Sequence, residues 1–130
     1  MSQENVEIVR SGFEALNAGG SPISIFDPAL VYHPRTDEPD PSPHVGRDAF
    51  ERLLGGFLES FRDMTFDVVE LIDVGDRVIV STIMRGQGAA SGASVDDTYV
   101  FVYKLRDGLV VEGWEYRTRE EALDAVGLAQ

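Results

Sequence analysis

Four apolar residues, Val6, Val9, Phe13 and Leu16, recur at three- and four-residue spacing and mark one stripe of a helix near the start of the chain. Gly19-Gly20 ends it. Ser21-Pro22 reads as a cap followed by a proline at the first helical position, which predicts one short turn over Ile23 to Phe26, stopped by Asp27-Pro28. Ala29 to His33 predicts a short strand. From Pro34 to Val45 four prolines forbid regular structure, and Asp37, Glu38 and Asp40 keep the loop in water. Helical period returns over Gly46 to Met64, where Phe50, Leu53, Leu54, Phe57, Leu58 and Phe61 share a side. Gly55-Gly56 lowers helix propensity there by about 1 kcal/mol per glycine, and close packing against a sheet is the expected reason.

The period then changes to two. Met64 to Val74 alternates with Phe66, Val68 and Ile72 on one face. Gly75-Asp76 is a tight turn. Arg77 to Gly86 places Val78, Val80, Thr82 and Met84 on one side. Gln87 to Ser94, rich in Gly, Ala and Ser, predicts a flexible connection. Val95 to Arg106 alternates Tyr99, Phe101, Tyr103 and Leu105 against Thr98, Val100, Val102 and Lys104, and Asp107-Gly108 is a strong hairpin signal. Leu109 to Arg117 is the next strand. Thr118 to Glu121 forms a capping box that opens a closing helix with Ala122, Leu123 and Val126 on its apolar side.

Helices followed by hairpin-linked strands predict an α+β domain over residues 1–130 with an antiparallel sheet. Val78-Ile79-Val80 and Tyr99 to Tyr103 are apolar on both faces. One face is expected to meet the helices or a pocket, and the other a second subunit.

Composition narrows the function. Hydrophobic content of 43% and charged content of 26% are those of a globular protein. A net charge of −12 argues against nucleic acid and against an anionic membrane surface, and fits a solvated acidic exterior. The absence of cysteine removes disulfides and thiolate chemistry. The acidic start of the chain lacks an apolar leader, and no apolar run is long enough to span a bilayer, so a cytoplasmic location is expected.

Several local motifs resemble a known family in order and spacing. Glu4 to Asn17 (ENVEIVRSGFEALN) is similar to its opening helix, and Phe26 to Pro34 (FDPALVYHP) to its "dp-x-v-x-w/y-h" strand. Pro43 to Phe50 (PHVGRDAF) is similar to the "P-x-x-G-x-e-a" start of its long helix. Asp73 to Val80 (DVGDRVIV) resembles its Gly-Asp turn, while Asp107 to Val111 and Tyr116 to Leu128 (YRTREEALDAVGL) resemble its last hairpin and closing helix. The chain thus resembles a SnoaL-like member of the nuclear transport factor 2 / ketosteroid isomerase superfamily. That resemblance implies a cone-shaped, curved mixed or antiparallel sheet packed on N-terminal helices around a pocket. It implies no one reaction, because the superfamily includes isomerases, cyclases, hydrolases and binding proteins.

The implied pocket rim comprises Tyr32, His33, His44, Arg85, Tyr99, Tyr103, Trp114 and Tyr116. His33 reads as a general base near neutral pH, or as an imidazole that anchors the loop. His44 closes the same loop. Neither has an acid at the spacing of a metal site, so no metal and no cofactor is expected. The tyrosine hydroxyls would polarise a carbonyl, or their rings would form core or a dimer face. Arg85 would bind an anionic group or pair with a surface acid. Phe13 stands where ketosteroid isomerases carry a tyrosine donor, and Arg117-Thr118 where many SnoaL-like chains carry an acid. Asp97 and Glu112 remain as strand acids of unassigned face. The reading that follows is a homodimeric pocket protein binding a small hydrophobic molecule. The alternative is a cofactor-independent isomerase, cyclase or hydrolase that transfers a proton on a small carbonyl-bearing or polycyclic substrate.

Overall fold

The computed structural model describes residues 2–128; residues 1, 129 and 130 of the expected domain lie outside them. The elements are α1 (Ser2–Asn17), a 3-10 turn (Ile23–Ile25), β1 (Phe26–His33), β2 (His44–Val45), α2 (Arg47–Glu59), β3 (Phe61–Val74), β4 (Arg77–Gly88), β5 (Ser94–Arg106), β6 (Leu109–Tyr116) and α3 (Arg119–Ala125). The strands form one sheet in the order β2-β1-β6-β5-β4-β3. Every pairing is antiparallel except β1 with β6, so the sheet is mixed.

The inner face carries Phe26, Leu30 and Tyr32 of β1, Phe66 of β3, Val78, Val80 and Met84 of β4, and Tyr99, Phe101 and Tyr103 of β5. These pack with Val6, Val9 and Phe13 of α1 and Phe50 of α2 into the main core. Burying a side chain of this size contributes roughly 1.5–3 kcal/mol. Asn17, the last residue of α1, fastens the helix to the sheet: its side chain donates to the Phe66 carbonyl at 2.8 Å and accepts from the Phe66 N–H at 2.9 Å. It thereby completes the backbone pairing of an edge strand.

On the outer face, Ile79, Val100 and Val102 are buried beneath Ala122 and Leu123 of α3. Thr118 caps the helix as expected, its Oγ1 accepting from the Glu121 N–H at 3.1 Å, while the Glu121 carboxylate reaches back to the N–H of Arg117 at 3.0 Å rather than to that of Thr118. Much of the outer apolar strip is therefore covered by the chain's own last helix.

Three local expectations are corrected. Phe61 begins β3 rather than extending α2. The helix stops at Ser60, whose N–H bonds to the Phe57 carbonyl, and Phe61 pairs with Gly88. His44–Val45 leaves the proline loop to pair with Val31 and Tyr32 as β2. Gly55 and Gly56 do not admit a close neighbour; a methyl group on either would meet nothing within 4 Å. Alanine at either position is therefore expected to stabilise the protein by about 0.5–1 kcal/mol, read as a higher urea midpoint at unchanged slope.

Two irregularities break the alternation read from the sequence. In β3 the register shifts between Val68 and Glu70, leaving Val68 and Val69 on the surface and placing Leu71 and Ile72 on opposite faces. In the last hairpin, Leu105 pairs with Val110 but Lys104 pairs with Glu112, so Val111 has no partner. Such a bulge exchanges the faces of every residue beyond it.

Candidate functional site

Between the inner sheet face and helices α1 and α2 lies a cavity of about 270 Å³. Its wall is mostly apolar and includes six phenylalanines and three tyrosines. Glu115 reaches it from β6, and Glu38 and Asp40 from the proline loop.

Glu115 faces inward because of the Val111 bulge. A hairpin without the bulge would set Trp114 opposite Phe101; with it, Glu115 pairs with Phe101 and Trp114 with Val102. Gly113 makes the arrangement possible. A side chain there would begin 3.0 Å from the Tyr32 ring and 3.1 Å from the Tyr103 ring. A glycine within a strand often marks such a close approach, and Gly113 was the one sequence feature that pointed to this register.

The Glu115 carboxyl accepts a hydrogen bond from the Tyr32 hydroxyl. Its Oε1 accepts from the Arg35 N–H at 3.1 Å. Burial raises its pKa to about 7, outweighing those two hydrogen bonds, and the charge of Glu38 adds to the rise. Burial also raises the hydroxyls of Tyr32, Tyr99 and Tyr103, which stay protonated at any neutral pH. Tyr103 of β5 stands beside Tyr32 of β1 over Gly113.

The proline loop is held over the cavity by Arg35, only 8% exposed. Its guanidinium lies 4.0 Å from the centroid of the Tyr99 ring. It donates to the Thr98 carbonyl at 2.9 Å, to Asp97 at 3.1 Å and to both oxygens of Asp37 at 3.0 Å. Tyr99 in turn donates to Glu38 at 2.8 Å.

The cavity thus brings together Tyr32, Tyr99 and Tyr103 from the expected rim. It does not include His33, His44, Arg85, Trp114 or Tyr116. His33 points to the outer side, where its ring stacks on Trp114 at 5.3 Å and its Nε2 lies 2.8 Å from Glu112. His44 sits on β2 opposite Tyr32, its Nε2 buried and without a partner among the described residues. Arg85 is half-exposed and pairs with Asp67 and Asp96. Trp114 and Tyr116 pack with the α3 side of the sheet, turned there by the bulge. Of the two strand acids, Glu112 belongs to that outer side with His33, and Asp97 is engaged by Arg35. Among the described residues no group of three His, Asp or Glu is arranged to hold a metal, and no helix is long and apolar enough to cross a membrane.

Solved structures share the fold at low identity. Bal32a, from a soil-derived mobile gene cassette, superposes with a TM-score of 0.80 at 23% identity, over 95% of this chain and 96% of that one. TerC, co-crystallised with polyporic acid, gives 0.77 at 15% identity, covering 93% and 96%. A candidate SnoaL-like polyketide cyclase from Jannaschia sp. CCS1 gives 0.77 at 21% identity, covering 98% and 94%. No curated protein matches the chain. The SnoaL-like domain profile matches residues 9–113, from α1 through the middle of β6, and the chain therefore belongs to the SnoaL-like domain family.

Proposed function

We propose that the cavity binds a small apolar molecule and that Glu115 exchanges a proton with it, the acid–base reading of the site rather than the binding-only one. The observation that carries this is a carboxyl bonded to a tyrosine inside an apolar cavity. With a pKa of about 7, Glu115 is populated at neutral pH both as carboxylate and as acid. The carboxylate takes a proton from a carbon next to a carbonyl, and the acid returns it at another carbon or to an oxygen. Such proton transfer contributes typically 10²–10⁴-fold to rate. Tyr32 fixes the carboxyl in one orientation, and the aromatic wall excludes the water that would level its basicity. Fold neighbours with candidate cyclase names are in keeping with this reading.

The test is turnover of small enones and enolisable ketones by wild type, Glu115→Gln and His33→Ala. Glu115→Gln is expected to lose about 10²–10⁴-fold in kcat/KM, and His33→Ala to keep the wild-type rate. Equal rates for wild type and Glu115→Gln, or a loss confined to His33→Ala, would remove Glu115 from the chemistry.

A dimer through the outer face accords with the partial exposure there of Trp114 and Tyr116 and the exposure of Val69 on the β3 bulge. Its expected signature is a sedimentation mass twice 14.3 kDa at micromolar concentration; the single mass would count against it.

A further inference from the structure

Apart from the Tyr103 hydroxyl, the polar groups of the cavity are acceptors or donors already engaged. The Tyr32 hydroxyl donates to Glu115, and that of Tyr99 donates to Glu38. No ionised group but a carboxylate lines the wall: Glu38, Asp40 and Glu115 are there, and no lysine, arginine or histidine. An ionised carboxylate has about four lone-pair positions on two oxygens, and Glu115 uses one for Tyr32 and one for the Arg35 N–H. Beyond the Tyr103 hydroxyl, the unfilled capacity of the site is therefore for a donor.

The remainder of the wall suits a cation. Six phenylalanine and three tyrosine rings surround the space, and the faces of such rings attract a positive charge, more strongly when water is excluded. Glu38 and Asp40 stand on the loop at the cavity's edge. The whole chain carries −12 charges, a field that concentrates cations near the opening and repels anions.

We infer that the ligand of this cavity is an apolar molecule bearing a protonated amine, which Glu115 and Glu38 receive while its hydrocarbon body fills the phenylalanine wall. The inference rests on the reading of the cavity as a ligand site, and it stands whether or not Glu115 also transfers a proton. It further implies that anionic analogues are refused, because no cation lines the wall, the Arg35 guanidinium behind Tyr99 is committed to Asp37, Asp97 and the Thr98 carbonyl, and three carboxylates oppose them.

Three naphthalene probes that differ only in one group test it by calorimetry on the full chain at pH 8: naphthylmethylamine, naphthylmethanol and naphthoate. The amine is expected to bind about tenfold or more tighter than the alcohol, and the carboxylate more weakly than either. Glu115→Gln and, separately, Glu38→Gln are expected to reduce the amine's advantage while leaving the alcohol within about twofold. Two single variants guard against one of them failing to fold. If the alcohol binds and the amine binds no tighter, the charge preference is wrong and the cavity reading stands. Tight binding of the carboxylate would also overturn it. If none of the three binds at millimolar concentration, the ligand-site reading falls with it.

Discussion

Wild-type protein is expected to lose up to about 3 kcal/mol of stability between pH 5 and pH 8 that the Glu115→Gln variant does not lose. The carboxyl titrates near 7 in the folded chain, against an ordinary 4.5. A group whose pKa rises on folding binds its proton more tightly in the native state. Its stabilising contribution is complete below about 4.5 and disappears as pH rises through about 7. At 1.36 kcal/mol for each pH unit, the interval between those two values sets the size of the loss at roughly 3 kcal/mol. Glutamine keeps the shape and one acceptor for the Arg35 N–H and has no proton to lose. Urea midpoints at pH 5, 6, 7 and 8 for both proteins give the comparison directly. Curves that run parallel over this range would mean that Glu115 carries its charge in the folded state at no special cost.

Inserting an alanine between Glu112 and Gly113 is expected to cost more than about 4 kcal/mol, a loss in the range seen when a core is disrupted and large against total stabilities of 5–15 kcal/mol. The inserted residue takes the place of Gly113 opposite Tyr103, and every residue beyond it moves one place along β5. Trp114 then turns toward Phe101 and the tyrosine rings, and Glu115 turns to the α3 side. Gly113 no longer leaves space beside Tyr32 and Tyr103. Val111→Ala, which trims the side chain but keeps the register, is expected to cost less than half as much. Thermal melts of the two variants separate the effects. An insertion variant as stable as Val111→Ala would show that the register beyond the bulge does not set which face Glu115 occupies.

That bulge also explains how far the sequence could be read. The helical stripe of Val6, Val9, Phe13 and Leu16 and the alternation of Tyr99, Phe101 and Tyr103 were plain, because each depends on local period alone. The Asp107-Gly108 turn was equally plain. What lay beyond the turn was not, because an inserted residue leaves no mark on hydrophobicity. Val110 and Val111 are alike in chemistry, yet one is paired and the other is not. Plain alternation from the turn would put Trp114 and Tyr116 on the cavity side and Glu115 on the other. The same failure occurred in β3, where Val68 and Val69 occupy a register shift and reach the surface. Arg35 was hidden for another reason. A charged residue among prolines and acids reads as solvent-facing, and its burial depends on Thr98 and Asp97, more than sixty positions away.

The central claim is that Glu115 is a carboxyl set near neutrality by an apolar cavity and held by Tyr32. Carbon-13 NMR titration of the Glu115 side-chain carboxyl, in wild type and in Tyr32→Phe, tests it most directly. The expected midpoint is about 7 in wild type. It should rise further in Tyr32→Phe, because the lost hydroxyl had favoured the charged form. A wild-type midpoint near 4.5, unmoved by the tyrosine substitution, would contradict it.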